Sequence, residues 1–186
     1  MNIDNDVKTL VFDDFVKCKK DVVSFVNFLL EGDEPVEHMT GIGNTSAHPL
    51  KKRGLHESRI VSDYYLPRSV RGIVDYTTHF LSASFPVFPN SVWFHKTNDA
   101  GYHDVHIHRD TEYACIFCID QGECDIESKN GVNRFYDFSN LEDIHVKDVV
   151  PVDGQLVYFN GLVPHSALPY SGETDRIVMG INYERQ

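Results

Sequence analysis

The feature that most constrains this chain is a succession of short β-rich runs with no helix-length segment between them. The runs begin at Ser91 and continue to Tyr183. In chain order they are SVWFHK, DVHIH, YACIFCI, CDIES, NRFYDF, IHVKDV, QLVYF and RIVMGINY. Asp153 and Gly154 supply a turn signal directly before QLVYF. Short strands joined by turns predict an antiparallel sandwich or barrel.

The first half of the chain predicts helices instead. Apolar residues recur at helical spacing between Asp13 and about Leu30, and a second helix is expected from Pro67 to just before Pro86. The buried face of this second helix is expected to hold Val70, Ile73, Val74, Thr77 and Leu81. Residues 31–62 lack periodicity and are interpreted as a long loop.

The length of 186 residues fits a single domain, with a helical support region at 1–90 and a β core at 91–186. The formal net charge of −11 argues against nucleic acid or an anionic membrane as a partner, because both require clustered basic side chains. Neither a secretory signal nor an apolar run long enough to span a bilayer is present, so a cytoplasmic location is expected. The four cysteines are interpreted as reduced, since Cys115 and Cys118 would point to opposite faces of one strand.

The segment YHDVHIHRD, residues 102–110, concentrates side chains that can bind a metal. His106, His108 and Asp110 are spaced two residues apart, and residues at that spacing share one face of a strand. A further ligand must come from elsewhere, and His165 in FNGLVPHSALP is the best candidate. Two imidazoles and a carboxylate on one side of an ion, with open positions opposite, suit non-haem iron(II).

The sequence around these residues resembles that of the iron(II)/2-oxoglutarate-dependent oxygenases, in particular the prolyl-hydroxylase-like members of marine bacteria and phages. The similarity extends over residues 93–183, about half of the chain, and its motifs occur in the family's order. The pattern consists here of Trp93, Gly101, HIHRD at 106–110, YACIFCI, DGQLVYFNGLVPH and Arg176. The resemblance implies a double-stranded β-helix (jelly-roll, cupin-like) core flanked by N-terminal helices.

The resemblance also implies an activity and its cofactors. The protein would use Fe(II), 2-oxoglutarate and O2 to hydroxylate a small-molecule or peptide substrate, releasing succinate and CO2. Arg176, eleven residues after His165, would bind the distal carboxylate of 2-oxoglutarate, which a guanidinium can contact through two hydrogen bonds. Where many relatives have a tyrosine that assists this contact, the chain has Cys118, and Tyr158 or Asn182 would have to compensate.

Two sets of metal ligands remain open. One consists of His108, Asp110 and His165, and is favoured here because it includes a carboxylate. The other consists of His106, His108 and His165, and the short connection from Asp110 to the next strand favours it. Two other functions also stay open: a cupin-like metal enzyme that does not use 2-oxoglutarate, and a β-barrel that serves only as a binding module.

Overall fold

The computed structural model describes residues 2–30, 55–60, 66–83 and 86–185. The helical elements lie in the first half of the chain, as the sequence predicts. They are helix α1 at Ile3–Asp6, a 3-10 segment at Asp13–Lys17, helix α2 at Lys19–Leu30 and helix α3 at Arg68–Ser82. The helix expected from Asp13 onward is thus divided in two. Pro67 immediately precedes α3, where a proline is well tolerated.

Ten strands in the described part of the chain form two antiparallel sheets. They are β1 (Lys8–Val11), β2 (Leu55–Ile60), β3 (Val87–Thr97), β4 (Gly101–His106), β5 (Tyr113–Asp120), β6 (Asn133–Asp137), β7 (His145–Val149), β8 (Gln155–Asn160), β9 (His165–Tyr170) and β10 (Arg176–Arg185). The larger sheet has the order β1-β8-β5-β10-β3-β2, and the smaller sheet has the order β4-β9-β6-β7. Two sheets of this kind form the predicted jelly roll.

Helices α2 and α3 cover the outer face of the larger sheet. Their buried apolar residues join Phe94 of β3, Phe117 of β5 and Met179 of β10 in the main hydrophobic core. All five positions expected on the buried face of α3 are buried, so that prediction is confirmed. The opposite face of the larger sheet is therefore free of these helices and faces the smaller sheet.

A second apolar cluster, containing Phe135 of β6 and Phe159 of β8, lies between the two sheets. Because side chains alternate along a strand, each strand of the larger sheet sends one set of residues to the helices and the other set inward. On β10, Ile177 and Met179 pack in the helix-covered core, while Arg176 and Val178 line a pocket between the sheets. The fold thus places Arg176 inside the molecule.

Two expectations for local structure are corrected. Strand β2 at Leu55–Ile60 pairs with β3 inside the stretch interpreted as a loop at 31–62, and the remainder of that stretch lies outside the described residues. The run CDIES is not a strand: Asp125 and Asn130 form an isolated bridge that closes a series of turns. Asp125 stabilises these turns by accepting hydrogen bonds from both the backbone N–H and the hydroxyl of Ser128.

No helix within the described ranges is long and apolar enough to cross a membrane. The four cysteines form no disulfide with one another in the structure. Cys115 and Cys118 are both buried.

Candidate metal centre

Three of the predicted histidines meet at one end of the space between the sheets. His106 ends β4 and His165 begins β9, and the two are paired directly across these strands. His108 follows two residues later. One ring nitrogen from each of the three lies within 4.8 Å of the others. The sequence therefore identified residues, nearly 60 positions apart, that the fold brings together.

A contact between backbone segments fixes His108 beyond the end of its strand. The N–H of His108 donates to the carbonyl oxygen of Gly161 at 2.8 Å. A Cβ atom at Gly161 would lie 2.7 Å from the His108 carbonyl oxygen and 2.3 Å from that of Thr111, so only glycine allows this approach. Gly161 also lies four residues before His165, and the contact thereby sets the His108 ring opposite His165.

Asp110 does not belong to this histidine group. Strand β4 ends at His106, and Asp110 is an exposed residue with a φ of 59° in the turn that follows. The two-residue alternation from which its direction was predicted no longer applies once the chain has left the strand. Among the described residues, the group able to hold an ion consists of His106, His108 and His165.

The spacing between the ring nitrogens of His108 and His165 suits a metal ion. The Nε2 atoms of His108 and His165 are 3.2 Å apart. Two imidazole nitrogens bound at about 2.1 Å from one ion would be separated by about 3.0 Å at a right angle, and by about 3.4 Å at the tetrahedral angle. Burial, and then the neighbouring His106 and His95, lower the pKa of His108 to about 3, and burial likewise lowers the pKa of His165 well below its usual value. Both rings are therefore neutral at pH 7, the form that binds cations.

Trp93 forms a wall of the site beside His108. The two rings are stacked, with centroids 5.7 Å apart and planes inclined by 22°. The indole can lie there because Gly180, its direct partner on β10, has no side chain. The stacked indole limits how far the imidazole of His108 can rotate.

We expect Gly180→Ala to displace Trp93 and to destabilise the fold. A Cβ at Gly180 would lie 2.2 Å from Cε2 of the indole, and overpacking of this kind costs about 1–3 kcal/mol. Urea denaturation measures the change. Gly72→Ala is the control: nothing lies within 4 Å of a Cβ added at this α3 position, so that variant should gain about 0.5–1 kcal/mol. Equal stability of the Gly180 variant and the parent would contradict the close approach.

Arg176 lies at the other end of the same pocket with only 2% of its surface exposed. Its Nη2 donates to Oδ1 of Asn133 at 2.6 Å, whereas its Nε has no hydrogen-bond partner in the described part of the chain. No carboxylate from the described residues forms a salt bridge with it. Burying a cation without an anion is costly, so the arrangement indicates that a bound anion supplies the missing partner.

Thr97 is a polar neighbour of Arg176 that the sequence did not reveal. The two residues are directly paired between β3 and β10, so both side chains project into the pocket. The Thr97 hydroxyl is buried and has no hydrogen-bond partner among the described residues. Arg176, Thr97 and Asn133 form a polar cluster. Among the described residues, no Asp or Glu lines the pocket that contains this cluster.

The residues expected to compensate for Cys118 have different surroundings. Cys118 lies near Arg176, but burial, the dominant influence, raises the pKa of its thiol, so it stays neutral. Tyr158 packs edge-on against Phe80 of α3, at a centroid distance of 5.4 Å, on the helix-covered face of the sheet. Asn182 lies at the metal end of the inward row of β10, beside His108. Thr97, in contrast, is paired with Arg176 across the strands and supplies a hydroxyl group beside it.

Three histidines thus lie at one end of the space between the sheets, and a buried arginine lies at the other. The two sheets have the fold of the 2-oxoglutarate/Fe(II) oxygenases and prolyl hydroxylases. A Pseudomonas putida prolyl-4-hydroxylase matches with a TM-score of 0.66 at 16% identity, over 97% of this chain and 93% of that one. A Trichoplax adhaerens prolyl hydroxylase, solved with a hypoxia-inducible-factor peptide fragment, matches with a TM-score of 0.65 at 14% identity, over 97% and 84% of the respective chains.

A third match shows that this fold serves more than one reaction. It is SnoN, a non-haem, α-ketoglutarate-dependent epimerase of nogalamycin biosynthesis, with a TM-score of 0.67 at 13% identity over 97% of this chain and 78% of that one. No protein-family model and no curated protein matches the sequence. At these identities the likeness establishes the fold, and it confirms the double-stranded β-helix and the resemblance predicted from the motifs.

Proposed function

We propose that this protein is an Fe(II)- and 2-oxoglutarate-dependent dioxygenase that hydroxylates a small-molecule or peptide substrate, with release of succinate and CO2. The observation that carries the proposal is the buried guanidinium of Arg176, which has no carboxylate partner among the described residues and shares one pocket with three convergent histidines. A site for a metal alone gives no reason to bury an arginine. A co-substrate that chelates a metal at one end and carries a carboxylate at the other accounts for both features.

The proposed metal ligands are His106, His108 and His165. The convergence of one ring nitrogen from each of these histidines within 4.8 Å supports this set over the one that includes Asp110, which is exposed in the turn after β4. When bound, iron(II) supplies the activation of O2 that couples oxidation of 2-oxoglutarate to oxidation of the substrate. The protein contributes the position of the three rings and a pocket whose walls include Trp93 and Phe159.

The proposed partner of the distal carboxylate of 2-oxoglutarate is the cluster formed by Arg176, Thr97 and Asn133. Arg176 supplies a charge that cannot be lost at physiological pH, and its Nε is available to donate. Asn133 accepts from Nη2 and so holds the plane of the guanidinium. The Thr97 hydroxyl supplies a second kind of donor in place of the tyrosine that many relatives have.

The substrate class stays broad in this proposal. The Trichoplax enzyme of the same fold binds a peptide, and SnoN belongs to the biosynthesis of a small molecule. Free cysteines support the further proposal that the enzyme works in the reducing cytoplasm.

Formation of succinate tests the function. Purified protein supplied with Fe(II), ascorbate and 2-oxoglutarate should form succinate faster than the same protein with EDTA, even before a substrate is known, through uncoupled turnover. His165→Ala is the matched control and should reduce the rate to that of the EDTA sample. Metal binding without any binding of 2-oxoglutarate would indicate the cupin-like alternative. Failure to bind either would indicate a binding module.

We expect Thr97→Val to weaken 2-oxoglutarate binding without destabilising the protein. The variant keeps the shape of the side chain and removes only the hydroxyl, whose hydrogen bond to a carboxylate is worth about 1.5–3 kcal/mol, or roughly 10- to 100-fold in affinity. The hydroxyl has no partner among the described residues, so its removal should not lower the melting temperature of the protein without ligands. Titration calorimetry with 2-oxoglutarate and Zn²⁺ measures the affinity. An unchanged affinity would remove Thr97 from the site.

A further inference from the structure

The outer face of the smaller sheet carries an apolar patch. Phe135 on β6 and His165 on β9 project into the space between the sheets, so the residues that alternate with them project outward. Of the described helices, α2 and α3 pack on the larger sheet and α1 inserts Ile3 between the sheets, so none of them covers this face. Six residues, each with 37–56% of its surface exposed, form what we call the outer patch: Val105, Ile107, Phe138, Ile144, Val146 and Leu162.

The strand register makes the outer patch continuous across the smaller sheet. The N–H of Tyr136 on β6 donates to the carbonyl oxygen of Pro164, just before β9, at 2.9 Å, and Tyr136 pairs with Val146 on β7. The ring of Tyr136 also stacks on that of Phe138, with the planes inclined by 4°. On the other side of β9 lies β4. The exposed apolar side chains thus extend from one edge strand of this sheet to the other.

The area of the outer patch is sufficient for a stable interface. Six side chains exposed to this extent present about 400 Å² of apolar surface, within the about 300–600 Å² of the largest patch on a typical monomer, which is often functional. Interfaces are about 60% apolar, so one centred on this patch would bury about 700 Å² of each partner, or about 1,400 Å² in total. Specific, stable interfaces bury about 1,200–2,000 Å².

The charged side chains of this face suit a second copy of the chain. Arg134 and Asp148, which lie on the same face, neutralise each other through two hydrogen bonds. Arg109 lies beyond the end of β4, whereas Glu142 and Asp143 lie in the turn between β6 and β7, at the same end of the sheet but at its opposite edge. All three are exposed, and none forms an ion pair within the described ranges.

A two-fold axis parallel to the strands would pair these charges between two copies. The rotation lays β4 of one protomer over β7 of its partner, so Arg109 of each meets Glu142 and Asp143 of the other. The formal net charge of −11 makes two copies repel each other on average. This arrangement instead places opposite charges together at both edges of an apolar centre, as complementary interfaces do.

We propose that the outer patch is the interface of a homodimer whose two-fold axis runs parallel to the strands of the smaller sheet. The two small sheets would pack face to face, as the sheets of a β-sandwich do. Phe138 and Leu162 adjoin β6 and β9, the two central strands, and therefore lie near the axis. The inference does not depend on the metal site or on the co-substrate.

Sedimentation velocity of the purified protein tests the dimer. Interfaces of this size bind with micromolar or higher affinity, so the parent at about 100 µM should have the mass of two chains. Phe138→Asp should raise the dissociation constant of the dimer by at least about 30-fold, the effect of losing a side chain at the centre of an interface. Phe28→Asp is the matched control: Phe28 is equally aromatic and exposed, but it lies on α2, and this variant should dimerise as the parent does.

A charge exchange tests the proposed axis with exposed residues alone. Arg109→Glu should weaken the dimer by about 10-fold, because it places like charges together at both edges. Adding Glu142→Arg and Asp143→Arg to that variant should restore the affinity of the parent. These positions lie at opposite edges of the sheet within one chain, so their mutual rescue requires the two-fold contact.

Three results would overturn the proposal. A parent that is monomeric at about 100 µM would show that a different protein, rather than a second copy, occupies the outer patch. A dimer that Phe138→Asp weakens no more than Phe28→Asp does would show that the chains associate through another surface. Failure of the charge exchange to restore the affinity lost in Arg109→Glu would rule out the axis parallel to the strands.

Discussion

His106→Ala is expected to abolish high-affinity iron binding, whereas Asp110→Asn is expected to retain it. His106 belongs to the group of ring nitrogens within 4.8 Å of one another, and Asp110 does not. Loss of an outer-shell partner weakens metal binding by about 10- to 100-fold, and loss of one of the three proposed ligands should weaken it further. Asparagine is the appropriate replacement at position 110 because it removes the charge and tolerates the φ of 59° found there.

Iron content after anaerobic reconstitution and gel filtration measures both variants. His145→Ala is the matched histidine control: this residue lies on β7 of the same sheet, but its exposed ring pairs with Asp4 at 3.2 Å. It should bind iron as the parent does. If His106→Ala retained iron and Asp110→Asn lost it, the result would instead support the ligand set of His108, Asp110 and His165.

Arg176→Met is expected to weaken 2-oxoglutarate binding strongly and at the same time to stabilise the protein without ligands. Removing one member of a buried charge pair costs about 2 kcal/mol or more, at least about 30-fold in affinity. Before 2-oxoglutarate binds, however, the guanidinium is a buried charge whose described side-chain acceptor is a neutral amide. Replacing it by an apolar side chain of similar length should raise the free energy of unfolding by on the order of 1 kcal/mol.

Arg134→Met provides the contrast for this prediction. Arg134 donates two hydrogen bonds to Asp148, at 2.7 and 2.9 Å, so its charge is already paired within the protein. Its replacement should lower stability and leave 2-oxoglutarate affinity unchanged. Calorimetric titration with 2-oxoglutarate and urea denaturation without it measure both quantities. Parent-like affinity in Arg176→Met, or a large loss of its stability, would show that Arg176 has a purely structural role.

The sequence predicted those parts of the molecule that depend on local periodicity. Helix α3 buries the five residues expected of it, and the alternation along RIVMGINY places Arg176 inward. His165 was chosen because a further ligand had to come from elsewhere in the chain, and this histidine follows the turn-bounded strand QLVYF. The alternation failed at Asp110, because the strand ends at His106 and a left-handed residue then redirects the chain.

Contacts that depend on the pairing of distant strands could not be predicted. Thr97 faces Arg176 only because β3 and β10 pair in one particular register, and Asn133 reaches the guanidinium from the other sheet. Asn182 was considered as a contact for 2-oxoglutarate, since nothing in the sequence shows which end of the pocket a residue on β10 approaches. Strand β2 was missed for a related reason: LHESRI has little apolar alternation, and its pairing with β3 determines its structure.

The inward row of β10 has a consequence for how this chain can vary. Arg176, Gly180 and Asn182 are separated by even numbers of residues, so a single strand sets the distance between the proposed anion-binding end and the proposed metal-binding end. Deleting or inserting one residue between them would turn the later positions toward the helices and bring core residues into the pocket. Mutational scanning should therefore find β10 intolerant of any change in length, while surface turns such as the one at 125–130 accept insertions.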